Sequence, residues 1–365
     1  MKIFILTSGM HQRGPEWMSI FWPHYTALRD SASVVLLETP YFERPAFHFA
    51  TKLSLRKERQ LHAKRLVKTV EEQLDPKGPN ILLVWALNAV DIQRSTFLDP
   101  VWNRFDHRVL SILDTIEIEN IDPSIVKRFD LQTAICGDIG HEFSAETGVP
   151  HIYFPPHVDS PSYISFGDYR PIDMMIVGRR DKKRHDRIHE YFSARDKETL
   201  SVDFLSRAKN YTPETTETEA LHLLQAYGRS KISFCFEPGP WARFRNRSPL
   251  TERWVHSWIS GCTVMGSAPK GRGTEAQQDW PESTIELPDS PEDSIRLIEE
   301  TLDEKSRLLK RRLHNVEEAI RRHDTRHRLK YLFDTLDHTL PEKLTDGLSR
   351  ISELADTVRE RRRAI

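Results

Sequence analysis

Residues 248–271, SPLTERWVHSWISGCTVMGSAPKG, hold a helix, a glycine stop and a strand in direct succession. Trp254, Val255, Trp258 and Ile259 recur at helical spacing, Pro249 precedes them, and Gly261 stands where a C-cap glycine falls. Residues 262–265 are apolar and include the β-branched pair Thr263 and Val264, which predicts a short strand; Gly266, Pro269, Gly271 and Gly273 then open a loop. A loop at the carboxyl end of a strand is where α/β sheets bind their ligands.

The same alternation extends in both directions. Upstream, residues 220–230 predict a helix and 232–236 a strand that runs into Glu237-Pro238-Gly239. Residues 172–177 predict a buried strand followed at once by GRRDKKRHDR. There Gly178 permits close backbone approach, and Arg179, Arg180, Lys183 and Arg184 offer charge-assisted donors beside a helix N-terminus. The first half repeats the cycle: strands over 2–7, 33–37, 80–86, 107–113 and 131–136, with helices over 17–28 and 56–74. On the helix 56–74, Leu61, Leu66 and Val70 are read as one apolar face and the surrounding charge as a solvated one. Gly9 and Gly14 do not make a dinucleotide fingerprint. Pro155 and Pro156 stop a strand and stiffen a crossing, so a domain boundary is expected within 155–170.

Downstream, Ile295, Ile298, Leu302, Leu309, Leu313, Val316 and Ile320 predict one long amphipathic helix or two, packed on the second sheet. His323 and His327 have zinc-pair spacing but no glutamate between them, which favours a structural role. Residues 340–365 end in RERRRAI and predict a charged helix or frayed tail. A solvated tail is the preferred reading, and weak contact with an anionic membrane surface or partner is the alternative.

A chain of 365 residues exceeds the usual size of one core, so two domains are expected. With 53 basic against 54 acidic residues, net charge argues against general nucleic-acid binding. Cys136, Cys235 and Cys262 form no C-x-x-C pair, and no run reaches the length of a membrane helix, so a cytoplasmic location is expected.

The wording of several segments resembles a known family. RWVHSWISGC, residues 253–262, is similar to the R-x-F-E-A-x-A-x-G-C segment of GT-B glycosyltransferases, nearest to the CgeB-like, glycosyltransferase group 1 (family 4-like) sub-group. Arg253, Gly261 and Cys262 match; His256 stands where the family carries the Glu that holds the donor ribose. HIYFPPHVD, residues 151–159, resembles the family's hinge. Glu237-Pro238-Gly239 resembles its E-P-x-G element, and HDTRHRLKYLFDTL, residues 323–336, its closing helix. Residues 238–255 widen the family's spacing between the two acidic positions, and the inserted WARFRNRSP is basic and aromatic, suited to rebuilding the donor pocket or touching an acceptor.

The resemblance implies an α/β GT-B fold, two facing Rossmann-like domains with a cleft between them and a C-terminal helix returning toward the first. It divides the chain into 1–158 on the acceptor side, 159–322 on the donor side, and 323–365 as helices crossing back with a basic tail. It implies transfer of a sugar from a nucleoside-diphosphate sugar, UDP- or GDP-linked, to a glycan, small molecule or protein, with no metal or other cofactor and with retention. Donor diphosphate binding then falls to Gly178, Arg179, Arg180, Lys183, Arg184 and Arg253, with Arg243, Arg245 and Arg247 as further cations. Nucleoside and sugar binding falls to Thr251, Glu252, His256 and Gly261. Catalytic candidates are Glu237, His141 and His11, with Asp138 and Asp114 as neighbours of the histidines. Two other readings stay open: an inactive partner subunit that binds nucleotide sugar or glycan, which the exchange of Glu for His256 keeps alive, and an epimerase or hydrolase on the same scaffold.

Overall fold

The computed structural model describes residues 1–7, 15–39, 49–86, 89–113, 121–165, 167–178, 182–194, 201–204, 222–239, 244 and 246–365. The first half alternates β1 (Lys2–Thr7), α1 (Pro15–Ser31), β2 (Ser33–Glu38), α2 (Phe49–Gln73) and β3 (Asn80–Ala86). It continues with α3 (Ala89–Gln93), which runs into a 3₁₀ stretch at Arg94–Arg104, then β4 (His107–Ile112), α4 (Pro123–Val126), β5 (Leu131–Ala134), α5 (Gly137–Thr147) and β6 (His151–Tyr153). These strands form one parallel sheet in the order β2-β1-β3-β4-β5-β6. Alternate residues of each strand feed opposite faces. Phe4, Leu6, Leu82, Val84 and Ile112 pack with Leu66, Val70 and Phe143, while Ile3, Ile5, Leu83 and Trp85 pack with Phe21, Leu28, Leu329 and Phe333.

After α6 (Ser160–Tyr163), the second half runs β7 (Ile172–Val177), α7 (Lys182–Ala194), β8 (Ser201–Phe204), a helix α8 through residues 222–228, β9 (Ser230–Phe236), α9 (Glu252–Ile259), β10 (Thr263–Ser267) and β11 (Ile285–Glu286). Its sheet is also parallel, in the order β11-β10-β9-β7-β8. Helices α10 (Pro291–Asp303), α11 (Lys305–His323), α12 (Thr325–Thr335) and α13 (Glu342–Arg363) follow. The expected pair of parallel α/β sheets is therefore present.

Helix α9 carries the second core. Trp254 and Trp258 are fully buried against Val316, Ala319 and Ile320 of α11 and Ile351 and Ala355 of α13. Their indole nitrogens donate to Thr284 Oγ1 at 3.1 Å and Ser283 O at 2.6 Å, so no polar atom of either ring is stranded. Gly261 ends the helix at φ +75°, a conformation that excludes most side chains.

Several expectations change. Leu61 is exposed while Leu66 and Val70 are buried, because a step of five residues turns about 140° around a helix. The 295–320 stripe breaks at Glu304; Ile295 and Ile298 cover the second sheet, whereas Leu313, Val316 and Ile320 pack on α9 and α13. The C-terminus is an ordered helix rather than a solvated tail. Leu344, Gly347, Ile351, Ala355 and Val358 form its buried stripe. Arg361 pairs with Asp168 at 3.2 Å and Arg362 with Glu317 at 2.9 Å, so these two basic residues are bound to the protein. His323 and His327 serve the backbone: His323 Nε2 lies 2.8 Å from Gln277 O and His327 Nε2 3.1 Å from Ile320 O. All three cysteines are buried thiols. No helix among the described residues is long and apolar enough to cross a membrane.

The chain crosses between the sheets at residues 154–160 and returns at 323–325, and the two crossings are bonded side by side. Val158 N donates to His323 O at 2.8 Å and Thr325 N to Val158 O at 2.9 Å. Beneath them, the buried Arg326 meets Asp159 at 2.9 Å and Asp324 at 3.1 Å. Burial alone lowers the Arg326 pKa, but Asp324 and Asp159 outweigh it and the net shift is upward. Asp324 also caps α12 through Arg326 N and accepts from Ser160 N at 3.0 Å. Removing the guanidinium strands two buried carboxylates. Arg326→Ala is therefore expected to lower unfolding free energy by about 3–5 kcal/mol, measured by urea denaturation, and a loss below about 1 kcal/mol would refute this account of the crossing.

Candidate active site in the cleft between the sheets

In a parallel sheet, ligands gather beyond the carboxyl ends of the strands where the order reverses. In the second sheet that point lies between β7 and β9. The first turn of α9 overlies it: Arg253 reaches Val177 O and Phe236 O, the last carbonyls of these strands, at 3.5 Å each. Gly178, at φ +71°, turns the chain out of β7, and Glu237 begins the loop after β9.

Glu237 is held by two hydrogen bonds. Its N–H donates to Ser267 Oγ at 2.9 Å, and its Oε2 accepts from Ser248 Oγ at 2.7 Å. Ser248 Oγ in turn accepts from Lys270 N at 3.0 Å, and Ser248 O from Gly271 N at 2.6 Å. A Cβ on Gly271 would stand 2.6 Å from Ser248 O, so a glycine is required for that approach. These groups face a cavity of about 680 Å³, lined by Glu237, Arg247, Ser248, Lys270 and Arg272 from the second half and by Asp138 and Glu142 of α5 from the first. Arg247 pairs with Glu142 at 2.6 Å, and Arg272 N donates to Asp138 at 3.2 Å, so the two walls of the cavity are bridged across the cleft. Nη1 of Arg247 is buried with no hydrogen-bond partner among the described residues. The insertion also crosses the cleft: Phe244 is buried in the core of the first sheet.

A second polar group lies in the seam at the start of α9. Glu252 approaches His256 Nε2 at 3.8 Å and His24 Nε2 at 4.0 Å. His24 stacks on His157 at 3.5 Å, and His256 stacks on Tyr163 at 5.3 Å. Both Glu252 oxygens and Thr251 Oγ1 are buried without a hydrogen bond among the described residues. Burial raises the Glu252 carboxyl well above the usual range and drives His24 down to about 3 and His256 down to about 4.

No family model matches the sequence, and no curated protein matches it significantly. Solved structures do match. An α-glucosyltransferase in complex with UDP-glucose and DNA containing an abasic site is 14% identical over 92% of this chain and 99% of its own, with a TM-score of 0.62. An α,α-trehalose-phosphate synthase (UDP-forming) from Burkholderia xenovorans is 9% identical over 92% of this chain and 100% of its own, with a TM-score of 0.58. A glycosyltransferase from Rickettsia africae is 11% identical over 93% and 99%, with a TM-score of 0.53. The fold is GT-B.

On this GT-B frame the residues singled out from the sequence separate into groups. Gly178, Glu237 and Arg253 come together at the switch point, and Thr251, Glu252 and His256 lie in the adjoining seam. Arg184, in the first turn of α7, bonds Asp289 at 3.0 Å and lies over Phe236. Gly261 is at the opposite end of α9, against Arg170 and Arg312, so its role is to end the helix and it cannot touch a donor at the first turn. His141 is exposed on α5, one residue from the cavity-lining Glu142, and its charge acts on His151. It is not part of the cavity wall. Arg179, Arg180, Arg243, Arg245, His11 and Asp114 lie outside the described residues, as does the side chain of Lys183. Sequence reading overlooked Lys270 and Arg272, although both stand in the loop it placed after β10. It also overlooked His24 and His157, which come from residues far apart and carry no local signal.

His24 is neutral when folded and has an ordinary pKa when unfolded. The unfolded state therefore binds more protons below pH 6.5, and this contribution to stability falls as pH drops from about 6.5 toward 3. Glu252, shifted upward, acts with the opposite sign above its unfolded value. His24→Asn is expected to reduce the loss of stability between pH 7 and pH 5 by roughly 2 kcal/mol, measured by denaturant titration at both pH values; an unchanged loss would mean that His24 is not held neutral.

Proposed function

We propose that this protein is a retaining glycosyltransferase that moves a sugar from a nucleoside-diphosphate sugar, UDP- or GDP-linked, to an acceptor held on the first sheet's side of the cleft. The observation that carries the reading is Glu237: the glutamate of an E-P-G segment that resembles the family's E-P-x-G element, at the switch point of a GT-B fold, fixed by Ser248 and Ser267 and facing a cavity with Arg247, Lys270 and Arg272. Neighbours on this fold include enzymes described with UDP-glucose or as UDP-forming. The subfamily reading, CgeB-like, rests on the residues 253–262 resemblance alone.

Departure of a diphosphate needs charge neutralisation and alignment more than covalent chemistry. Arg253 at the β7–β9 junction and Arg247, with its buried Nη1, supply fixed positive charge, so the reaction is proposed to run without a metal. Glu237 lies where it can accept from the donor sugar's hydroxyls. His256 offers a ribose only one acceptor nitrogen, whereas Glu252, one turn earlier, has two oxygens that make no hydrogen bond among the described residues; we assign the ribose contact to Glu252. Asp138, on the opposite wall, is the candidate that faces the acceptor.

The His256 exchange also supports a second reading, a GT-B partner subunit that binds nucleotide sugar without turnover. A thermal-shift series with UDP, GDP, ADP, TDP and their sugar conjugates, followed by a donor-hydrolysis assay on the hit, separates the two. One base is expected to raise the melting temperature selectively, and Arg253→Ala to weaken that nucleotide by about 1.5–3 kcal/mol. Glu237→Gln is expected to abolish hydrolysis while leaving nucleotide affinity within about threefold, since removing a group that acts on the transferred sugar spares ground-state diphosphate binding. Binding without hydrolysis in the unaltered protein would select the partner-subunit reading, and no shift with any nucleotide would overturn both.

A further inference from the structure

A second cavity, of about 280 Å³, opens on the far side of the second sheet, beyond the amino ends of its strands. Asp168, Arg170, Lys231, Gly261, Leu302, Lys305, Leu308, Leu309 and Arg312 line it, and they come from the segment before β7, the start of β9, the end of α9, α10 and α11. It shares no lining residue with the cleft cavity.

Its wall carries four cations and one carboxylate. Arg170 is 8% exposed and donates to two neutral carbonyls, Ser230 O at 2.6 Å and Ser260 O at 2.5 Å. Arg312 is also buried and meets Asp168 at 3.0 Å. Asp168 is itself 71% exposed and is shared with Arg361 of α13 at 3.2 Å. Lys231 pairs with Asp173 at 2.5 Å, and Lys305 opens α11. Burial lowers the Arg170 pKa, and the neighbouring Arg312 charge pushes it the same way, so two guanidiniums crowd each other in a dry wall. Gly261 makes the crowding possible: a Cβ there would stand 2.6 Å from Arg312 Cγ and 3.1 Å from Arg170 Nη2. Two buried guanidiniums share this wall with one solvent-facing carboxylate, Asp168, which Arg312 divides with Arg361, and such a wall is a poor structural use of buried charge and a good anion receptor. Leu302, Leu308 and Leu309 add apolar surface to the lining.

We propose that this cavity is a second ligand site, for a small soluble monoanion or dianion of the phosphate-ester or carboxylate class that carries a short apolar stem. The anion displaces Asp168 from Arg312 and bonds Arg312, Arg170 and Lys305; the stem lies on the leucines. The volume stands at the lower end of ligand-sized cavities, too small for a nucleotide sugar and matched to a monophosphate with a short chain.

Isothermal titration calorimetry with hexyl phosphate, hexanoate, inorganic phosphate and hexyltrimethylammonium tests this on the full chain. Hexyl phosphate is expected to bind saturably and tighter than inorganic phosphate, and the cationic probe not to bind. Lys305→Glu and Arg312→Gln should each weaken hexyl phosphate roughly tenfold or more. Asp168→Asn removes the internal competitor from an exposed position and should tighten it several-fold, a sign that a purely structural wall would not give. Glu237→Gln should leave it unchanged, which separates this site from the cleft. No saturable binding of hexyl phosphate, equal binding by the Lys305→Glu protein, or weakened binding by Asp168→Asn would each overturn the proposal.

Discussion

Arg326 between Asp159 and Asp324 is the interaction on which the arrangement of the two halves depends. The first passage of the chain from one sheet to the other and its return after α11 both meet at this buried guanidinium. A charge buried with its counter-charges on both strands of the crossing tolerates little displacement, since separation would leave desolvated carboxylates behind. From that point α12 lays Leu329, Leu332 and Phe333 on α1 and the first sheet, while α13 returns to α11. Gly347 on α13 leaves room for Arg326, as a Cβ would stand 2.9 Å from its Cδ.

With the halves fixed this way, the carboxyl ends of both sheets face one cleft, and groups distant in sequence meet there. Glu142 of α5 holds Arg247, Asp138 holds the backbone of Arg272, and Phe244 is anchored in the opposite core. The loop after β9 therefore depends on both halves for its position. Glu237 inherits that position through Ser248, which binds it and is bound by the Lys270–Gly271 backbone. The polar seam around Glu252 and His256 is built likewise, from α9 on one side and His24 and His157 on the other.

Charge is distributed unevenly over this frame although the whole chain is near neutrality. Cations gather in the wall of the cavity behind α9, whereas the cleft cavity, where Arg247, Lys270 and Arg272 face Asp138, Glu142 and Glu237, and the surface ion pairs along α11 and α13 are balanced. Balanced exposed pairs add little, whereas buried cations gathered in a cavity wall prepare a surface for an anion. Net charge, which excluded general nucleic-acid binding as an expectation, is silent on such local segregation.

Much of the fold was legible in the chain. The runs 2–7, 80–86 and 172–177 are short, apolar and followed by loops, and period-two packing leaves them no other use than buried parallel strands. The Trp254–Ile259 stripe and Gly261 specified α9 because helical spacing and a left-handed stop are local properties. Charge-rich helices were harder: the stripe Leu344, Ile351, Ala355 and Val358 is thin among charged neighbours, so α13 read as a tail until α11 supplied a surface for it to cover. The candidate site divides the same way. Glu237, Arg253 and Glu252 announced themselves through local wording and strand ends, while the roles of Arg247, Asp138, His24 and His157 depend on partners more than a hundred residues away. Sequence determined the elements and the strand-end loops, since backbone conformation and side-chain periodicity act over a few residues. Tertiary structure decided which of those loops share a cavity and which charges lose water, because proximity and burial are set by the packing of the whole chain.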